Sequence, residues 1–424
     1  MLAGTLIKWN RLVLCRMKNY KKTKYTCYYT YLATASIFAL PPLLFVTFRE
    51  MYDISYTLLG TLVLTNFCTQ LSIDLLFTFF SRFFNIRKTL IAMPLLTSVG
   101  LGVYALVPTL FPEHAYIGLV LGTIIFSVSA GLCEVLLSPT VAALPSDNPE
   151  RDMSMLHSLY GYGVVSVVII STLFLRIFGT ENWMWLTLIL AAFPIVSCIL
   201  YATSPIPDMD ISHSDGGGFK VGKGMLLCVM CIFLGSAAEN TMTNWISGYM
   251  ENALHITKVA GDILGMALFA ALLAFTRTAY AKYGKNIGRV LLISMSCAVA
   301  CYLVAGLCPF TPVSMAACVL TGICTSMLWP GMLIYMEEKI PGAGVVAYAM
   351  MAAGGDFGAS VAPQLMGIVT DTVAASNWAA RMCETLSMTP DQVGMKAGMV
   401  IGAIFPILGV MLLVYMKKYF AKQN

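Results

Sequence analysis

The chain has 424 residues, of which 58% are hydrophobic and only 11% charged, whereas a soluble globular domain carries about 25% charged residues. That deficit excludes an ordinary soluble enzyme of this size and points to a surface that faces lipid. The net charge of +5 does not argue for nucleic acid, because Lys and Arg sit in short clusters between apolar runs with no basic face interleaved with aromatics.

Residues 1–27 form a basic tail, and the first apolar run covers 28–48. That run is too long for a signal-peptide core and lacks a small-residue cleavage site, so it reads as a first span. Further runs follow at 55–81, 89–111, 116–143, 153–178 and 183–203. The stretch 204–223 (SPIPDMDISHSDGGGFKVGK) is rich in Pro, Gly, Ser and Asp and reads as a flexible linker. After it come runs at 224–252, 259–282, 287–308, 311–337, 344–374 and 393–418, and then a short tail, 419–424. Each run is long enough to cross a bilayer as a helix. The expected fold is an all-α membrane protein of twelve transmembrane helices. It divides into a six-helix N-terminal half (28–203), a linker (204–223) and a six-helix C-terminal half (224–418).

Charge placement sets the expected orientation. With both termini and the linker cytoplasmic, every Lys and Arg falls inside except Arg49, Arg176, Lys258, Arg381 and Lys396, as the positive-inside rule requires. The expected location is the cytoplasmic membrane. The 13 cysteines lie almost entirely within apolar runs, unlike a secreted disulfide framework. Cys228 and Cys231 have CxxC spacing and Cys297 and Cys301 CxxxC spacing. Their surroundings are lipid-type helix without the polar second shell that zinc thiolates use, so no metal is expected.

The halves look like repeats. GLCEVLLSP (131–139) matches GICTSMLWP (322–330) without a gap, and at the same spacing Gly163 falls on Gly354. NIRKTLI (85–91) faces NIGRVLLI (286–293), Gly60 falls on Gly261 and Pro108 on Pro309. Two parallel six-helix repeats place a solute site between the halves near mid-bilayer.

Polar groups inside the spans are the functional candidates, since a charge at a helix centre costs ~2.5–3.5 kcal/mol on insertion scales. Glu134 sits in the fourth run, and His157 and Tyr160 share one face of the fifth. The seventh run carries Glu239 and Asn240 within AAENTMTNW. There Asn240, Asn244 and Ser247 form a stripe at i, i+4, i+7, with Trp245 beside it. These groups suit a polar organic solute held by hydrogen bonds and ring stacking; helix–helix hydrogen bonding is the structural alternative. Asp74, Asp356 in GGDFG and Trp329 before Pro330 are further candidates, while Asp262 reads as a helix N-terminal charge. Glu134 and His157 are the expected proton-coupling groups. There is no GxxxxGK[ST] phosphate loop, no HExxH and no GxSxG, so no cofactor and no enzymatic chemistry is expected.

These features together resemble the major facilitator superfamily. In that family a basic loop follows the second and eighth helices. The corresponding positions here are SRFFNIRK (81–88) and RTAYAKYGKNIGR (277–289), and the resemblance makes Arg82, Arg87, Lys88, Arg277 and Lys285 gating-loop candidates. More narrowly, GLCEVLLSPTVAALP, MSMLHSLYGYG, AAENTMTNW, MLWPG and AGGDFG are similar to the fucose-permease-like branch. That branch implies proton-coupled sugar uptake, with Glu134 matching its fourth-helix acid. Residues 28–46 contain no carboxylate to match its first-helix acid. The expectation is a secondary transporter, working as a monomer among membrane lipids, that moves a small polar solute with protons. An efflux antiporter for drugs or metabolites is the alternative within transport; an intramembrane enzyme or a non-transporting receptor lies outside it.

Overall fold

The computed structural model describes residues 2–80, 85–147, 149–207, 222–340, 344–386 and 388–422. Side chains are described throughout these segments except at 2–19, 77–79, 142, 149–151, 153, 154, 157, 281, 344–346, 348, 349 and 386. The described residues are helical with no strand. In the first half the helices are α1 (Leu2–Tyr52), α2 (Tyr56–Phe80), α3 (Ile86–Leu110), α4 (Ala115–Ala142), α5 (Pro149–Phe178) and α6 (Trp183–Ala202). The second half begins with α7 (Lys223–Asn252). Its next crossing is composite, a short α8 (Lys258–Ala260), a π-helical segment (Gly261–Ala267) and α9 (Leu268–Tyr283). Then come α10 (Ile287–Leu307), α11 (Thr311–Thr325), α12 (Leu328–Lys339), α13 (Gly344–Ala374), α14 (Asn377–Leu386), α15 (Pro390–Gly402) and α16 (Ile404–Ala421).

Among the described residues, eleven spans are long and apolar enough to cross a membrane. The 31-residue α13 supplies the twelfth crossing of the expected set. Helices dominate because backbone groups in lipid must satisfy one another within a segment. Two crossings are broken where a helix cannot run on. α11 gives way to α12 at Ser326–Met327, just ahead of Pro330, whose ring removes one N–H and crowds the turn before it. α15 gives way to α16 at Ala403, just before Pro406. α1 is longer than the run in its sequence, since the basic tail continues the helix. α14 lies outside every apolar run and had no counterpart in the sequence reading.

The repeat motifs turn out to do matched structural work. Asn85 caps α3, its side chain accepting from the Lys88 amide at 3.1 Å, and Asn286 caps α10 in the same way, from Arg289 at 3.2 Å. Arg87, Lys88 and Lys285 beside these caps are exposed, and Arg82 lies outside the described residues. Gly163 and Gly354 also correspond. A Cβ on Gly163 would stand 2.7 Å from the Ala35 Cβ on α1, and one on Gly354 would stand 2.7 Å from Val229 Cγ1 on α7. Lipid is as apolar as leucine, so helices in a membrane are held by close packing at such small residues rather than by a hydrophobic force between them.

The chain forms two compact units whose division does not follow the halves. The first contains residues 1–38, 72–164 and 184–214; the second contains 39–71, 165–183 and 215–424. In α1 the division falls just before Pro41 and Pro42, which remove two consecutive helical N–H groups. The core of the first unit is built on Cys27, Tyr28, Leu90, Met93, Leu136 and Tyr201. The second unit joins the ends of first-half helices α1, α2 and α5 to the second half.

Candidate functional site

In the first unit the central feature is a pair of acids. Glu134 on α4 is exposed, and a carboxylate oxygen of Asp74 on α2 lies within 4.8 Å of one of its own. The α4 backbone that carries Glu134 is anchored on its other side. Cys133, the next residue back, is buried against Thr34 at 3.7 Å and Met93 at 3.8 Å. One turn earlier Ser129 accepts from Thr97 at 2.7 Å and donates to the Met93 carbonyl at 2.5 Å. Tyr160 on α5 stands edge-on to Tyr31 and Phe38, with ring centres 6.1 and 5.6 Å away. The expected partner His157 has a side chain outside the described residues.

The second unit redistributes the α7 candidates. Glu239 forms an ion pair with Arg277, whose Nη2 lies 2.9 and 3.2 Å from the two carboxylate oxygens. Arg277, expected in a loop, is in helix α9, and its Nε also donates to the Ser326 carbonyl at 2.8 Å, at the break between α11 and α12. One guanidinium therefore ties three crossings together. Asn240 donates to the carbonyl and hydroxyl of Ser236, and Asn244 donates to the Asn240 carbonyl at 2.9 Å. Both amide NH₂ groups thus turn back onto their own helix. Trp245 is sealed in protein at 1% exposure. Its indole N–H donates to the Pro363 carbonyl at 3.1 Å, and its ring packs on Phe45 and Tyr56 at 5.6 and 5.8 Å. That position makes it a packing group rather than a ligand platform. The Trp329 ring packs against Gly355, and Asp356, next in sequence, is buried.

Where α1, α5 and α7 finish and α2, α8 and α15 begin, unit 2 is tied by groups that sequence reading had passed over. The Asp371 carboxylate on α13 accepts from the Tyr56 and Thr57 amides at 3.2 and 2.6 Å, and so caps α2. It satisfies two of the orphan donors at that helix start and complements the helix dipole. Arg49 pairs with Asp391 at 2.9 Å and lies 4.0 Å over the Tyr56 ring. Gly367 on α13 lets the two helices meet, since a Cβ there would overlap the Tyr56 carbonyl. Asp262, read from sequence as a helix-end charge, is instead fully buried; it accepts from Ser247 and, at 3.0 Å, from Thr172. No local signal marks Asp371 or Asp391 as partners of a distant helix. A clue did exist for Arg49 and Lys258, because both are exceptions to the charge bias. Asn66 and Gln70, bonded to each other at 3.0 Å on α2, precede Asp74 at helical spacing and could have been read as one polar stripe.

The family model described as Major Facilitator Superfamily matches residues 27–363, and the chain belongs to that superfamily of membrane transporters. Among solved structures it is similar to a bacterial homologue of the human lysosomal transporter Spinster, with TM-score 0.75 and 13% identity over 96% of this chain and 98% of that one. A D-xylose–proton symporter gives TM-score 0.70 and 15% identity, with 92% and 97% covered. A variant of the E. coli fucose:proton symporter FucP gives TM-score 0.61 and 12% identity, with 94% and 99% covered. No curated protein sequence matches.

Proposed function

We propose that the protein is a proton-coupled secondary transporter of the cytoplasmic membrane, with both termini cytoplasmic, that carries a small polar solute such as a sugar by alternating access. The observation that carries the reading is the Glu134–Asp74 pair, two carboxylate oxygens within 4.8 Å inside a transmembrane bundle. Like charges this close repel by roughly 3–4 kcal/mol at an effective dielectric constant near 20, and one proton shared between them removes the repulsion. A site whose charge depends on a proton can link proton movement to solute movement, because each ligand biases the same conformational equilibrium.

The resemblance to the fucose-permease-like branch supports a sugar-like solute, and so does the likeness to the fucose:proton and D-xylose–proton symporters. Asp74 supplies a second carboxylate where that branch draws its second acid from the first helix. On α7 the Asn240 side-chain carbonyl is the acceptor offered to solute hydroxyls, its NH₂ being held by Ser236. Glu239 acts through Arg277 in holding the bundle, not on the solute.

The test is uptake of labelled sugars, nucleosides and amino acids into proteoliposomes under an imposed pH gradient. At least one polar solute accumulates in the wild type, and Glu134→Gln abolishes the gradient-driven part while leaving exchange at equal pH. If accumulation driven by the gradient is unchanged in Glu134→Gln, the coupling role is wrong.

A further inference from the structure

Among the described residues of the second unit Asp262 is the most deeply buried charge, at 0% exposure, and it sits in the π-helical segment of the eighth crossing. Extra-residue π turns recur at functional positions because they re-aim one side chain into a packed region. Here the re-aimed group is a carboxylate held by two hydroxyls, Ser247 of α7 and Thr172 of α5. Lys258 lies one turn before it. The Lys258 ammonium is 3.8 Å from Asp262 and 3.7 Å from Glu251 on α7, and it donates to the Leu43 carbonyl of α1 at 2.6 Å. Glu251 Oε2 is itself buried and has no hydrogen-bond partner among the described residues. Glu50 on α1 adds further negative charge facing Glu251.

The charges do not balance. Two carboxylates face a single ammonium, so the cluster carries one net negative charge when both acids are ionised. Glu50 cannot offset that charge. Asp262 is fully buried, and Lys258 and Glu251 are only 16% and 23% exposed, so an uncompensated charge there is unfavourable, and one bound proton cancels it. The cluster lies where α1 and α5 of the first half pack on α7 and α8 of the second. Separation of those helices would return the acids to water and let the proton leave.

We propose that Glu251, facing Lys258 beside the fully buried Asp262, is a second proton-binding site, separate from Glu134, whose protonation holds this end of the bundle shut. The inference rests on the alternating-access reading but not on the role given to Glu134. Protonation favours the packed arrangement, so the packed population falls as pH rises. The buried Trp245 ring, packed on Phe45 and Tyr56 at the same end, reports on it once its signal is isolated from the other five tryptophans as the difference between each protein and the same protein carrying Trp245→Phe.

The experiment is acrylamide quenching of tryptophan fluorescence in nanodiscs between about pH 5 and 9, in sodium-free buffer and with added sodium. Wild-type quenching rises in one step with pH. Glu251→Gln, which removes the excess negative charge for good, stays at the low-pH level throughout, and Asp262→Asn does the same where it folds. Lys258→Gln leaves two uncompensated acids and moves the step to higher pH. Glu134→Gln keeps the wild-type step, even if it also loses coupled transport. The proposal is overturned if the wild type shows no step, if Glu251→Gln retains it, if Glu134→Gln alone removes it, or if sodium at constant pH reproduces it.

Discussion

Gly367→Ala is a one-atom wedge at the tied end of the second unit. The added Cβ would stand 2.9 Å from the Tyr56 carbonyl carbon and 3.2 Å from the Thr57 Cα, and would overlap the Tyr56 carbonyl oxygen. These are backbone atoms, so no side chain can rotate away. They are also fixed in place. Tyr56 is 1% exposed, its amide is held by Asp371, and its ring lies under Arg49 and against Trp245. α2 and α13 must therefore move apart, and overpacking of this kind costs about 1–3 kcal/mol. Charged to the packed arrangement alone, that shifts its population by roughly 5- to 150-fold. The readout is hydrogen exchange, at fixed pH, of the peptide carrying the Tyr56 and Thr57 amides. Those amides are orphan donors that, among the described residues, the Asp371 carboxylate holds. Gly367→Ala raises their exchange by that factor, while Gly102→Ala, where an added Cβ meets nothing within 4 Å, leaves it unchanged. Unaltered exchange in a folded Gly367→Ala protein would refute the claim that this contact holds the helices together.

Three further outcomes follow from the same geometry. Asp371→Ala speeds exchange at Tyr56 and Thr57 more than Asp391→Asn does, because a lost helix cap costs about 0.5–2 kcal/mol. The Arg49–Asp391 pair, about a third exposed on each side, contributes about 0.2–1 kcal/mol and weakens with salt. Glu239→Gln and Arg277→Gln each lower thermal stability, but the double variant loses less than the two losses added. A coupling of about 1–3 kcal/mol is expected for a pair that is partly, not fully, buried, and strictly additive losses would show that the two do not act together. Asp152 lies ahead of the fifth span. Burial pushes its pKa up, but the Ser146 hydroxyl, the Lys24 ammonium at 3.0 Å and the Tyr28 hydroxyl together hold it below the usual carboxylate value. A lowered folded-state pKa stabilises fully at neutral pH and is lost as pH falls below about 4. Asp152→Asn accordingly flattens the acid limb of the stability–pH curve while leaving its shape above pH 5 unchanged.

The helices were legible because lipid imposes one rule on every residue of a span, so long apolar runs mark them without reference to any partner. The run read at 344–374 coincides with α13. The repeat was legible for a related reason. Asn85 and Asn286 cap equivalent helices, and Gly163 and Gly354 sit at equivalent close approaches, so each half needs the same residue type at the same place. Partners across the fold were not legible. Glu239 looked like a ligand group because it stands beside Asn240 and Trp245 in an apolar run, and nothing within AAENTMTNW tells of Arg277, 38 residues on. Asp262 looked like a helix-end charge because the π segment that buries it has no sequence signature of its own. Trp245 was placed on the right helix and beside the right stripe, yet its ring faces Pro363 and Phe45, a choice made by α13 and α1 rather than by α7.

The central claim is that solute and proton move together through one conformational cycle. It is tested most directly by adding solute to de-energised proteoliposomes and following pH with an entrapped or external dye. Solute entry with its gradient carries protons in the same direction, so the outside becomes more alkaline in the wild type and stays level in Glu134→Gln. Solute entry with no pH change in the wild type would contradict the account.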